Sequence, residues 1–275
     1  MTISPYEDAH FLREGVVDVN AAVVGISQAR WAYLNESDAT QAQAEAIMRE
    51  KRFDVLPISN GSDVKKYFST QKWNDYSNIS QETITHRDVI PFDTRIRDVI
   101  KGFALEPRSF YFLHNQRRVV GLISIVNLNC RQVQVYLFGL LSELEVRLGN
   151  FVAAHVSDDE LLRMTLEKEQ EKYQGVKKRY EEDKIIGADV RFVEYLYLSD
   201  LITIITKQGL CERLGYSRTS FKKKLGSLDN LRDSVAHPVR SIITDKHPVK
   251  ELWERIDRAE EALFILGGMS ENQAG

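Results

Sequence analysis

The sequence predicts an α+β chain made of two unlike halves. Three observations predict it: a mixed strand and helix pattern that recurs with a 55-residue offset, a change to purely helical periodicity from Val133 onward, and an ordinary globular composition. At 275 residues, 43% hydrophobic and 28% charged, the chain is long enough to bury two cores. No stretch reads as a membrane span and residues 1–13 lack the pattern of a secretion signal, so a cytoplasmic protein without membrane partners is expected.

Residues 6–26 read loosely as an entry helix, weakened by Gly15. The repeat follows. Residues 53–70 align with residues 108–125, and the pairs Val55/Phe110, Leu56/Tyr111, Ile58/Leu113, Val64/Val119, Tyr67/Leu122, Phe68/Ile123 and Ser69/Ser124 keep their character. Each copy reads as strand, helix, strand, tight turn, strand, helix. In the first copy the strand is at 31–35, the helix at 39–51, two strands flank Asn60-Gly61, and a helix starts about residue 70. The second has a strand at 87–90, a helix at 94–104 and strands flanking Asn115-Gln116. Asn-led turns between apolar runs are hairpin signals.

In the helical half, Val133, Leu137, Leu140 or Leu141, Leu144, Leu148 and Phe151 form one apolar stripe, and Glu143 and Glu145 on the same helix read as solvated. Residues 158–184 read as an exposed charged hairpin interrupted at Gly175. Val193, Tyr197, Leu201 and Ile204 read as core, and residues 249–266 as a closing core helix. Residues 211–226 loosely suggest two short helices around a turn, which admits a DNA-reading helix-turn-helix as a minor reading. The division expected is a sheet-bearing pair over 1–130, with copies at 28–75 and 84–129, a helical domain over 131–268 and a tail over 269–275.

Cys130 and Cys211 stand alone, and His10, His86, His114, His155 and His247 are scattered, so no disulfide framework or metal site is expected. Charge is uneven. The net is −3, yet residues 207–250 hold ten Lys/Arg against four Asp/Glu. A basic region of this kind suits a polyanion, with Lys222, Lys223, Lys224 and Arg240 as candidate backbone contacts to RNA.

Within it, L-D-N-L-R-D-S-V-A-H-P-V-R sets Arg232 and His237 five positions apart ahead of Pro238. Ser227 and Asp229 read as N-caps, and Pro238 ends the helix near Ala236, leaving His237 at the exit. Imidazole moves protons near neutral pH, and guanidinium matches the fork of phosphate oxygens. Residues five apart lie about 140° around a helix, so a two-fold axis is needed to gather two such pairs into one cleft.

That segment resembles the R-x-x-x-x-H signature of the HEPN family, all-α dimeric domains many of which are ribonucleases; the resemblance extends over residues 133–267. It implies a homodimer that cuts RNA without a metal, with His237 as acid or base, Arg232 stabilising the transition state and Asp233, where the family usually has asparagine, orienting the site. A first-helix carboxylate orienting the arginine would also be consistent with the family. A toxin-like or phage-defence role follows from family company.

Gly121-Leu122-Ile123-Ser124-Ile125-Val126-Asn127 resembles the G-h-x-T/S-x-x-D motif of cystathionine-β-synthase-type (CBS) domains, and the likeness covers residues 28–129. It implies a βαββα pair that holds an adenosine nucleotide (ATP, ADP or AMP) as a regulatory ligand. Ser124 and Asn127 are the implied contacts in one copy; Ser69 and Lys72 are those of the other, where Lys66 replaces the glycine. The alternative is a non-catalytic ligand-sensing or dimerisation module.

Overall fold

In the computed structural model, residues 19–61, 63–70, 76, 78–116, 118–166, 170–237, 239–244 and 248–273 are described. The fold is mixed α/β, with two small sheets and a C-terminal helical region. The chain divides into two compact units. One holds residues 19–136 and 241–253, and the other holds residues 137–240 and 254–273.

The sheet unit begins with α1 (Ala21–Val24) and β1 (Ile26–Ser27); most of the expected entry helix lies outside the described residues. The first copy then runs β2 (Leu34–Asn35), α2 (Gln41–Lys51), β3 (Val55–Ser59) and β4 (Val64–Thr70). Thr40 caps α2 with a reciprocal capping box to Gln43. The second copy runs β6 (Val89–Pro91), α3 (Ile96–Leu105), β7 (Phe110–Asn115) and β8 (Arg118–Ser124). Between the copies comes β5 (Ile79–Thr83). The helix expected from residue 70 is corrected in part, because Thr70 still belongs to β4; residues 71–75 lie outside the described set.

The 55-residue offset holds in backbone detail. Both hairpins shift register at the same place, Ile58/Ser59 in one and Leu113/His114 in the other. Both turns carry a positive φ at equivalent positions, 95° at Gly61 and 45° at Gln116. Each sheet has four strands, ordered β2-β3-β4-β5 and β1-β8-β7-β6. Thus β1, which precedes the first copy, completes the sheet of the second. Trp31, Val55, Val64 and Tyr67 meet Phe112 and Leu122 in one apolar cluster that joins the two sheets. A second cluster seats Ala44 and Met48 of α2 on Leu56, Ile58 and Phe68.

After a 3-10 turn (Ile125–Leu128), α4 spans Arg131–Ala153. All seven residues named for its stripe are buried. Residues 241–253 return to the sheet unit: Asn129 Oδ1 accepts the backbone N–H groups of Ile242 and Ile243, both at 2.8 Å, and Arg97 stacks 5.0 Å over Trp253.

In the helical unit, the expected charged hairpin is two helices, α5 (Asp158–Leu166) and α6 (Gln170–Ile185), divided before residue 170 rather than at Gly175. Gly175 lies inside α6 and interrupts nothing, while Val176 and Tyr180 are buried, Tyr180 against Phe192. Next come α7 (Leu198–Lys207), a 3-10 turn (Leu210–Leu214) and α8 (Arg218–Ala236), a single 19-residue helix capped by Ser217. The expected two helices around a turn are thus present as the 3-10 helix Leu210–Leu214 and α8, with the turn at residues 215–217, but the second helix is long rather than short. Ser227 and Asp229 sit in its middle, where the Ser227 hydroxyl donates back to Lys224 O at 2.8 Å. The last described element is α9 (Val249–Gln273). Among the described residues no helix is long and apolar enough to cross a membrane.

Candidate functional sites

In the helical unit, Arg232 lies one turn before the end of α8, and His237 is its C-cap with extended backbone. The helix ends at Ala236, as the proline after His237 requires. Arg232 is half-buried and held from three sides. Its Nε lies 3.4 Å from Glu145 Oε1 of α4, its Nη1 lies 3.9 Å from Asp233 Oδ1, and its Cζ stands 5.0 Å over the Tyr197 ring. The Glu145 contact is an ion pair without hydrogen-bond geometry, since Arg232 Nε is buried and makes no hydrogen bond.

Glu145 also accepts the Leu198 N–H at 3.0 Å, at the first turn of α7, where a carboxylate complements the helix dipole. One carboxylate thus fastens three helices together. Glu145, read as solvated, is only 22% exposed at its side chain. Glu143 instead pairs with Arg147 at 2.6 Å. Tyr197, read as core, is 45% exposed at the N-cap of α7. Its helical spacing was correct, but its place ahead of the first turn swings it away from the core.

Asp233 and His237 are exposed. Among the described residues, Arg232 and His237 share no hydrogen bond, in keeping with their spacing around the helix. Lys222 and Lys223 are exposed on α8, whereas Lys224 is clamped to Glu261, at 2.8 Å from both carboxylate oxygens, and lies 5.2 Å over Tyr216. Lys224 is therefore committed within the fold. Arg240 is exposed, and its backbone N–H donates to His237 O at 2.9 Å.

In the sheet unit, Ser124 and Asn127 line a cavity of about 340 Å³, together with Arg30, Lys51, Arg52 and Phe110. A volume of this size is at the lower end of small-molecule sites. Ser124 donates through its N–H (2.8 Å) and its hydroxyl (2.9 Å) to Asn127 Oδ1, which fixes the turn and leaves the amide nitrogen as a donor. The repeat-related residues differ. Ser69 is buried and donates to Glu82 Oε1 at 2.7 Å, and it does not line the neighbouring cavity of about 500 Å³ that holds Thr70, Glu106 and Arg108. Lys72 lies outside the described residues.

Gly121 is required by the packing of the sheet. A Cβ there would stand 2.6 Å from Ile26 O of β1, so the glycine admits a strand. Lys66, its counterpart, pairs with Thr83 and Ile58 and meets no such constraint. Among the described residues, no group of three or more His, Cys, Asp or Glu side chains is placed to hold a metal ion. No protein-family model matches the chain, and no curated protein matches it in sequence.

Proposed function

We propose that the chain is a nucleotide-regulated, metal-independent endoribonuclease, in which the repeat pair senses an adenosine nucleotide and a dimeric helical half cleaves RNA. The observation that supports cleavage is the hold on Arg232. Glu145 and Tyr197 fix its Nε side and one face, and His237 follows at an exposed helix exit. A pre-oriented guanidinium offers its remaining N–H groups to a phosphate with little reorganisation.

In the proposed reaction the ribose 2′-hydroxyl attacks the adjacent phosphorus, the P–O5′ bond breaks, and a 2′,3′-cyclic phosphate and a 5′-hydroxyl result. His237 takes the 2′ proton or protonates the leaving oxygen, and Arg232 stabilises the extra negative charge on the phosphoryl oxygens. Lys222, Lys223 and Arg240 would track the backbone. The nucleotide would act through α4, which begins four residues after Asn127 and carries Glu145.

A gel assay of tRNA and mRNA cleavage in EDTA, with and without ATP or AMP, tests this reading. Arg232→Ala and His237→Ala should each lose on the order of 100-fold or more in rate, and His237→Ala, at an exposed position, should keep the parent's thermal transition. Cleavage by either variant at the parent's rate removes the assignment. A second reading, a non-catalytic ligand-sensing or dimerisation module, is favoured by the charge of Arg232 being spent on Glu145 and by Asp233 beside it. Intact nucleotide binding with no RNA degradation would select it.

A further inference from the structure

The two repeat-related cavities have the same backbone frame and opposite charge. Residues 51–55 line one and residues 106–110 line the other, at the 55-residue offset. Lys51 is answered by Glu106, Arg52 by Pro107 and Asp54 by Ser109. Counting Arg30, Lys51 and Arg52 against Asp54, the cavity at Ser124 carries two net positive charges. Among the described residues its counterpart carries one net negative charge, from Arg108 against Asp88 and Glu106.

Pairing sharpens the contrast. Arg108 is neutralised twice, at 2.8 Å by Glu106 and 3.4 Å by Asp88. Arg30 and Arg52 form no ion pair with a described residue, and Lys51 has only a 4.0 Å contact to Glu50. Basic residues at a helix C-terminus also complement its dipole, but α3 ends directly before Glu106, so the frame does not demand cations there. Arg52 keeps a left-handed backbone (φ 55°) at the cap of α2, a position that ordinarily selects glycine or asparagine.

We infer that the cavity at Ser124 takes a ligand carrying two or more phosphate groups and that the cavity at Arg108 rejects it, so each chain binds one such ligand. The proposal rests on the nucleotide-sensing reading for the identity of the ligand, and on charge alone for the choice between cavities. Screening by salt weakens such contacts, so affinity should fall with ionic strength.

Isothermal titration of the full chain with ATP, AMP and inorganic tripolyphosphate, at low and high salt, tests it. The expected result is one ATP per chain, AMP on the order of 10-fold weaker, and a Lys51→Glu or Arg52→Ala variant 10- to 100-fold weaker for ATP, as loss of a charge-assisted contact dictates (roughly). Arg108→Ala should leave ATP affinity within about 2-fold, since Arg108 lies outside the proposed site. Two equal ATP sites, equal affinity for AMP and ATP, no binding of any of the three, or unchanged ATP binding in both Lys51→Glu and Arg52→Ala would overturn the proposal. Tripolyphosphate binding as tightly as ATP, and weakened equally by Lys51→Glu, would uphold the charge partition while removing adenosine from the sensing reading.

Discussion

The two copies of the repeat share a backbone down to the position of a register shift and the residue that turns the hairpin, yet they place different chemistry at equivalent points. Leu56/Tyr111, Ile58/Leu113 and Phe68/Ile123 all face apolar cores. Their alternation sets the strand faces, and any apolar side chain of suitable volume satisfies it. The equivalent positions that differ do so in their neighbours: Lys66 lies beside β5 and Gly121 beside β1, and Ser69 donates to Glu82 while Ser124 donates to Asn127. Packing preserves the frame, whereas what each copy touches outside its own hairpin decides these residues.

Exchanging the residues at the glycine position tests that contrast most severely. Gly121→Lys drives a Cβ against Ile26 O and must displace β1 from β8, costing about 3 kcal/mol or more, beyond ordinary overpacking. Lys66→Gly removes only a half-exposed lysine from β4, paired with Glu36 at 3.2 Å, and should cost about 1 kcal/mol. Urea denaturation of both variants reads the difference. Equal losses would mean that β1 does not constrain the second copy.

The same logic separates what was legible in the sequence from what was not. The helical stripe of α4, the two hairpins and the end of α8 at Ala236 follow from local periodicity and from Pro238, and each was legible. Two of the four edge strands were not: β1 has two residues, and β5 is mostly polar and exposed because only one of its ends meets the core. β1 exists through pairing with the distant β8, and β5 by folding back on the preceding strand, β4. The return of residues 241–253 to the sheet unit depends on Asn129, more than a hundred positions away. At the candidate cleavage site, Arg232 and His237 could be nominated from type and spacing. Glu145 could not be told from Glu143, because only the arrival of α7 and α8 makes one a partner of Arg232 and leaves the other to Arg147.

A smaller effect is expected at the hydroxyls. Ser69→Ala removes a 2.7 Å donor from Glu82 and leaves that carboxylate with Ser80 and Tyr67, at a cost of about 1–2 kcal/mol. Ser124→Ala takes from Asn127 Oδ1 one of two donors, and the backbone N–H of residue 124 remains, so about 0.5–1 kcal/mol is expected. On the proposed function the order reverses for ligand: Ser124→Ala should weaken nucleotide binding and Ser69→Ala should not. Thermal melts with and without ATP measure both orders, and a larger ATP effect at Ser69 would break the assignment of the cavity.

The subtlest difference is alkaline. Burial pushes the Tyr67 phenol up from the ordinary tyrosine range, and Asp88 and Glu82 add to the shift by opposing a second negative charge. The folded state then holds the phenolic proton after the unfolded chain has released it. Stability from this group is therefore intact below about pH 10 and falls as pH rises toward the folded-state value, by about 1.4 kcal/mol per pH unit. The equivalent Leu122 has nothing to ionise. Tyr67→Phe keeps the ring against Phe110 and Phe112 but loses the 3.0 Å hydrogen bond to Glu82, so it should cost about 1 kcal/mol at pH 8 and become the more stable protein in the pH 11 region. Tyr216, also raised by burial, to about 12, is unchanged by that substitution and cancels in the comparison. Denaturant titrations of both proteins from pH 8 to 11 decide the point: parallel curves would show that Tyr67 does not carry the alkaline loss.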